Sequence, residues 1–357
     1  MKDADSSLYE AISTQLKDRP VADWVAPSWP PNRAKTGLFV EHLPFFFWPS
    51  AALSRLGVGK AALLSNLVYF LGALYLLFLL AKQVSTAGSA WVAVALYAVS
   101  PLGVMYLVRA NHENAWAIGF LGALYCLIRL EDRARFRLGL VVFSTFAFLV
   151  KGVLALALFP VLLAWTLQSE RCEMRGLRFL ASALGSIVVC SAVLQWAYRA
   201  RTGYSFCSEY FKAQIAYVAH FESEGVLKKL LNPVYYAANL LWFAAPSSLI
   251  CAYLAFRKSR REQCSNLTQR ILYICGGTYV ALVCLMNRHA ARYIFPAYSL
   301  LHPRAAQKVA GSSRISILLA QHERPLPYLL MLLLATVLVA RVMVDPHFYR
   351  FIQVFRW

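Results

Sequence analysis

Between Lys60 and Lys82 the chain runs for 21 residues without a single charge. A helix that crosses the hydrocarbon of a bilayer takes about 20 consecutive apolar residues. This segment has the length and the composition to do so, and it is not alone. Apolar runs recur at 60–82, 88–107, 114–130, 137–150, 152–167, 178–198, 235–256, 270–287 and 326–344, with a weaker one near 293–303. In lipid every backbone polar group must be satisfied within the protein, so a chain with this pattern folds as packed helices. The expectation is an all-α polytopic membrane protein. Hydrophobic residues make up 59% of the 357 and charged residues 15%, against roughly a half and a quarter in a soluble domain.

The runs divide the chain into an extracytoplasmic segment 1–59 with juxtamembrane helices, a membrane block 60–198, an extracytoplasmic loop 199–234, a second membrane block 235–344 and a short tail 345–357. The pair 137–150 and 152–167 is interrupted at Lys151-Gly152. A charge in hydrocarbon is costly, so the chain is expected to break there at an interface. The basic clusters at Arg133/Arg135/Arg137, Arg171/Arg175/Arg178, Arg257/Lys258/Arg260/Arg261 and Arg304/Lys308/Arg314/Arg324 fall on one side if the runs alternate. The positive-inside rule makes that side cytoplasmic.

The first residues are then extracytoplasmic. No apolar signal-peptide core follows Met1, and the expectation is that a first membrane helix is missing. Ser7 to Leu16 reads as a short amphipathic helix with Leu8, Ile12 and Leu16 on one face. The stretch Gly37 to Leu56 begins with Glu41 and His42 and continues as an aromatic run with Pro44 and Pro49. It is too interrupted to span. It reads as an interfacial helix, with its aromatics at headgroup depth and its polar start in water.

The net charge of +19 fits basic cytoplasmic loops, anionic headgroups and a phosphate-bearing lipid ligand. No aromatic-basic module points to nucleic acid. The eight cysteines show no CxxC spacing, so neither a disulfide framework nor a zinc cluster is indicated.

Chemistry-capable residues gather in the extracytoplasmic loops. They are Asp5, Glu41 and His42 in the first, Arg109, His112 and Glu113 in the second, and Lys151 at the broken pair. Lys212 comes from the long loop, and Arg288, Arg292 and Tyr293 come from the last. Carboxylates beside cations at one membrane face suit a reaction on a charged lipid. A carboxylate can take the proton of an acceptor; Arg and Lys can hold a phosphate leaving group. Lys151 and Glu113 stand out, because both abut apolar helices where charge is costly unless used or paired.

Five short motifs occur in a characteristic order: Asp5-Ser6-Ser7-Leu8-Tyr9, Asp23-Trp24-Val25-Ala26-Pro27, Glu41-His42-Leu43-Pro44, Phe148-Leu149-Val150-Lys151-Gly152 and Tyr293-Ile294-Phe295-Pro296. On these the chain resembles the GT-C glycosyltransferases that use polyprenyl-phosphate sugars, in the branch of the protein O-mannosyltransferases and the lipid A aminoarabinose transferases. GPI mannosyltransferases are the nearest alternative within the superfamily.

The resemblance implies a GT-C helix bundle, here without the first helix or a C-terminal soluble domain. It implies transfer of a hexosyl or pentosyl group from a polyprenyl-phosphate donor to a lipid, glycan or protein acceptor. The place would be the extracytoplasmic face of the inner (plasma) membrane, in the service of the cell envelope or lipopolysaccharide. Asp5 takes the place of the catalytic base, and Glu41 and Glu113 those of further acids. Tyr9, His42, Arg109, His112, Lys151, Lys212, Arg288, Arg292 and Tyr293 take those of substrate-binding residues.

There are departures. Ser6 and His42 stand where the family has Glu and Lys, and Gln214 stands where relatives show His. The resemblance leaves a divalent metal ion open as a cofactor, and no residue is assigned as its ligand. Two other classes fit the same residues: a transporter or flippase of a lipid-linked substrate, and a degenerate, non-catalytic homologue.

Overall fold

The computed structural model describes residues 4–29, 36–130, 134–168, 173–216, 226–256, 267–285 and 290–310. Its helices are α1 (Ala4–Lys17), α2 (Trp48–Arg55), α3 (Ala61–Val84), α4 (Ala87–Val99), α5 (Pro101–Leu107), α6 (Glu113–Ile128) and α7 (Ala134–Lys151). They continue with α8 (Leu158–Gln168), α9 (Glu173–Thr202), α10 (Phe206–Tyr210), α11 (Val226–Phe243), α12 (Ser247–Phe256), α13 (Leu267–Cys284) and α14 (Phe295–Ala310). Among the described residues there is no β-sheet, only the isolated bridge Ser28–Leu38. The run expected at 326–344 lies outside the described residues.

By length and composition Ala61–Val84 and Gly176–Thr202 can each cross a membrane alone, and Ala134–Ala164 is long and apolar enough when counted through its break at Lys151-Gly152. Two bent pairs bring the total to five. Both pairs fall where the sequence reading placed a span, and each is bent. At 88–107, Ser100 ends α4 and its hydroxyl accepts from Gly103 N at 3.0 Å, capping α5 with Pro101 in the first turn. The chain turns there by 69°. Serine before proline is a helix start rather than a helix interior. At 235–256 the break precedes Pro246, and Leu231–Phe243 meets Ser247–Tyr253 at 113°. Proline cannot continue the hydrogen-bond ladder of the preceding turn.

The break at Lys151-Gly152 is present and reverses the chain. Gly152 takes φ +62, and a 3-10 segment, Gly152–Ala157, leads into α8. Arg137 lies over the Phe179 ring, and Thr145 bonds Ser186, so α9 runs parallel to α7. Thr166 near the end of α8 meets Gly176 near the start of α9, so α8 runs back beside it. Gly152 also needs its missing side chain, because a Cβ there would stand 2.1 Å from Tyr210 Oη. That hydroxyl in turn accepts from Val153 N.

α6 and α7 pack antiparallel through small residues. A Cβ on Gly119 would lie 2.6 Å from that of Ala147, one on Gly122 2.5 Å from the Phe143 ring, and one on Gly139 2.6 Å from Cys126 Sγ. Small residues let two helices approach where lipid supplies no hydrophobic drive. Each step forward on α6 is matched by an equal step back on α7. The same register, continued, brings Glu113 level with Lys151.

α1 is the expected amphipathic helix, extended to Ala4–Lys17. Its buried face is Tyr9, Ile12, Ser13 and Leu16. Glu10 Oε2 accepts from Ala62 N and so fixes the start of α3, while Ser13 bonds Ser50 and anchors α2. The aromatic run at 45–48 differs from its reading as a lipid-facing anchor. Phe46 and Phe47 are buried and pack edge-on against Tyr9. Rings that bury 150–250 Å² apiece serve a core well, and the short 3-10 turn Pro44–Phe47 aims them inward.

Candidate active site at one end of the helical bundle

Six elements meet at the end of the bundle where α6 begins and α7 ends. α1 supplies Asp5 and Tyr9. The loop before Pro44 supplies Glu41 and His42, and the loop after α5 supplies Arg109 and His112. α6 opens with Glu113, α7 closes with Lys151, and the 3-10 turn Ala291–Ile294 carries Arg292.

The 108–112 loop is held from two sides. Asn66 on α3 and Asn114 on α6 both donate to the Tyr106 carbonyl, at 2.7 and 2.9 Å, and Asn114 donates to Asn66 as well. Ser6 Oγ accepts from Ala110 N at 3.1 Å. Ser6, which departs from the resembled family, thus ties α1 to the second loop.

Two ion pairs organise the centre. Lys151 Nζ donates to Glu113 Oε1 at 2.9 Å, with both side chains almost wholly out of solvent. The same ammonium contacts His112 Nε2 and lies 5.2 Å from the centre of the Trp116 ring, within cation–π range. The second pair is Arg292 to Asp5 Oδ2, at 2.7 Å. It is open: the side chains are 30% and 36% exposed. His112 connects the two. Its Nδ1 lies 2.8 Å from Tyr9 Oη, and Tyr9 sits one helical turn from Asp5. His42 leans on His112 with ring centres 4.4 Å apart, closed in by Phe39 and Tyr9.

The electrostatics follow from burial beside cations. His112 has its pKa lowered well below the usual histidine value, first by burial and then by Lys151 and Arg292. His42 is lowered for the same first reason, with His112, Lys151 and Arg292 adding to it. Both rings are therefore neutral at pH 7. Burial and the Asp5 carboxylate raise the Tyr9 pKa well above its ordinary value, so it stays a phenol. Burial opposes the charge on Arg292, but Glu113 and Asp5 outweigh it and its pKa is raised.

Of the residues singled out by sequence, Asp5, Tyr9, His42, His112, Glu113, Lys151 and Arg292 come together. Glu41 is half-buried, and its charge reaches Tyr9. Arg109 is buried in the same loop. Tyr293 adjoins Arg292, and its carbonyl accepts the Tyr279 hydroxyl. Lys212 does not join them. It lies in a π-helical turn, Phe211–Ala216, with its side chain 68% exposed and its ammonium 3.4 Å from Glu209. Arg288 lies outside the described residues. Trp116 was not anticipated, although its place three residues after Glu113 puts both on one helix face. Among the described residues no group of three or more His, Cys, Asp or Glu could hold a metal ion. His112 already spends both ring nitrogens on Lys151 and Tyr9.

With this geometry in place, comparison with known proteins gives the fold a name. Residues 41–196 match the family described as dolichyl-phosphate-mannose-protein mannosyltransferase. No curated protein sequence matches the chain. The structure is similar to ArnT from Cupriavidus metallidurans in the apo state, with a TM-score of 0.68 and 17% identity over 88% of this chain and 57% of that one. ArnT bound to undecaprenyl phosphate gives a TM-score of 0.67, at the same identity and coverage. The archaeal oligosaccharyltransferase AglB from Archaeoglobus fulgidus, in complex with an inhibitory peptide and a dolichol-phosphate, gives 0.54 at 14% identity, over 95% of this chain and 50% of that one. The chain thus spans less than two thirds of the length of these proteins. It is a membrane protein with the GT-C fold.

Proposed function

We propose that this chain is, or forms part of, an inverting glycosyltransferase that takes a sugar from a polyprenyl-phosphate donor at the extracytoplasmic face of the membrane. The observation that carries the reading is the partly exposed Asp5–Arg292 pair beside the buried Glu113–Lys151 pair. It lies at one end of a bundle whose fold is shared with a protein solved with undecaprenyl phosphate. Asp5 acts as base. Arg292 engages Oδ2, which leaves Oδ1 to receive the proton of the acceptor nucleophile. As that atom bonds to the anomeric carbon, the bond from carbon to phosphate oxygen breaks. The electron pair leaves with the polyprenyl phosphate, whose charge Arg292 and Arg109 stabilise. Glu41, half-buried at the rim, contributes a second acid on the donor side, and Glu113 fixes Lys151. The sugar is a hexose or a pentose; the acceptor is an envelope lipid, glycan or protein.

The test is transfer of radiolabelled sugar from undecaprenyl- or dolichyl-phosphate donors to an envelope acceptor fraction by purified protein in detergent. Asp5→Asn should lose transfer by a factor of about 10²–10⁴, the usual yield of general base catalysis, and still bind the lipid phosphate. Full activity in that variant removes Asp5 as the base. No transfer by the natural chain with any sugar, with lipid-phosphate binding intact, refutes the transferase and favours a carrier of lipid-linked substrate.

A further inference from the structure

We infer that His112 is a positioning residue, locked by Lys151 in one tautomer so that the Tyr9 hydroxyl is turned toward the Asp5–Arg292 pair as a hydrogen-bond donor for an anionic oxygen of the substrate. The inference rests on the reading of this end of the bundle as the site of transfer, and it adds a role for a residue that touches no substrate itself.

A neutral imidazole has one ring N–H and one bare nitrogen, while an ammonium can only donate. Lys151 contacts Nε2, so Nε2 is the bare nitrogen and the proton sits on Nδ1. Nδ1 then donates to Tyr9 Oη, 2.8 Å away. The phenol oxygen accepts that bond, and its own O–H is free to point elsewhere. Phe46 and Phe47 flank the Tyr9 ring and offer no acceptor. The Tyr9 side chain is closed off from solvent, and the charge that acts on it most strongly is the part-exposed Asp5 carboxylate, one turn earlier on α1, where a ligand oxygen that replaces Asp5 would meet the O–H.

Lys151 decides the matter because an alternative is close at hand. Glu113 Oε1 is 3.3 Å from Nε2 and on its own would draw the ring proton there. Nδ1 would then be bare, would accept the Tyr9 proton, and would turn the hydroxyl inward. Lys151, placed between Oε1 and Nε2, donates to both and blocks that state. The groups facing the ring are His42, Lys151, Glu113, Tyr9 and, at longer range, Arg292.

The experiment has a spectroscopic arm and a kinetic arm. Protein labelled with ¹⁵N-histidine in detergent carries seven histidines, and His112→Gln identifies the signal of interest by its loss. The natural protein should show the Nδ1–H tautomer. Lys151→Met removes the ammonium, leaves the Glu113 carboxylate 3.3 Å from Nε2 and should bring a proton to Nε2. An Nε2–H or imidazolium signal in the natural protein, or no change in Lys151→Met, overturns the inference.

In the kinetic arm, His112→Gln supplies an amide that can accept from Lys151 and donate to Tyr9, so it should keep kcat within about threefold. His112→Leu should lower kcat by about 10- to 100-fold, the cost of one misdirected hydrogen bond to a charged group. In a Tyr9→Phe background the same change should cost nothing further, since residues acting through one another are not additive. Losses that multiply would show that His112 acts independently of Tyr9. If the natural chain transfers no sugar, the proposed function fails while the tautomer signal still judges this inference.

Discussion

Replacing Lys151 with methionine isolates the energetics of the buried pair. Methionine keeps the unbranched stem and removes the ammonium. Glu113, with no side-chain exposure, is left with no opposite charge within bonding distance, and its Oε2 accepts no hydrogen bond among the described residues. At the 2.9 Å separation of this pair, the Coulomb attraction is about 6 kcal/mol for an effective dielectric near 20. Removing one partner of such a pair costs about 3–5 kcal/mol. Lost attraction to the Trp116 face adds about 1 kcal/mol. Lys151→Met should therefore unfold in SDS titration with a stability about 3–6 kcal/mol below the natural chain. Glu113→Gln/Lys151→Met should recover most of the loss, because nothing charged is then stranded. Two outcomes would refute the reasoning. One is a single variant within about 1 kcal/mol of the natural protein, well under the expected loss. The other is a double variant no more stable than the single one, which would mean that the ion pair is not what Lys151 contributes.

Two further tests follow from the geometry. His42 and His112 are neutral in the fold, with pKa values lowered by burial, so below about pH 6.5 the unfolded chain binds protons that the native state refuses. Stability should be full above that pH and fall as the medium is acidified, by up to about 1.4 kcal/mol per pH unit for each ring. Melting curves from pH 8 to 5 should show this, and His112→Gln should remove one ring's share of the slope. Gly152→Ala places a methyl 2.1 Å from Tyr210 Oη at a left-handed φ of +62. It should lower stability by at least about 1–2 kcal/mol and depress transfer through the displaced Lys151. Unchanged melting and activity would show that the reversal at this point tolerates a side chain.

The sequence shows where helices are more readily than where they turn. The run read as 60–82 is α3 at Ala61–Val84, because no charge or proline interrupts it between Lys60 and Lys82. The runs at 88–107 and 235–256 each hide a bend, since hydropathy records burial and carries no direction. Ser100-Pro101 was the available signal for the first. Within the site the residue types could be read but their pairing could not. Asp5 and Arg292 are 287 positions apart, and only the packing of α1 against the end of the bundle joins them. Lys212 carries the same charge as Lys151, yet it sits in solvent beside Glu209. The difference lies in what surrounds the ammonium. Lys151 follows an apolar helix that buries it, and a charge that must stay buried has to find Glu113.

That contrast also accounts for why the site holds two ion pairs of such different exposure. A group that assists departure of a phosphate must be able to change partners during the reaction. A buried pair cannot do this cheaply, because separating it strands a charge in a medium that solvates it poorly. Lys151 is committed to Glu113, His112 and Trp116 at once and is fitted to hold a shape. Arg292 and Asp5 are each about a third exposed, so water or a ligand oxygen can replace either partner at modest cost. On the proposed chemistry, Asp5 takes up a proton in the step in which the leaving phosphate acquires its charge. The guanidinium can then pass from the neutralised carboxyl to the new anion without ever lacking a partner. The deep pair keeps His112 and Tyr9 in place while the open pair exchanges.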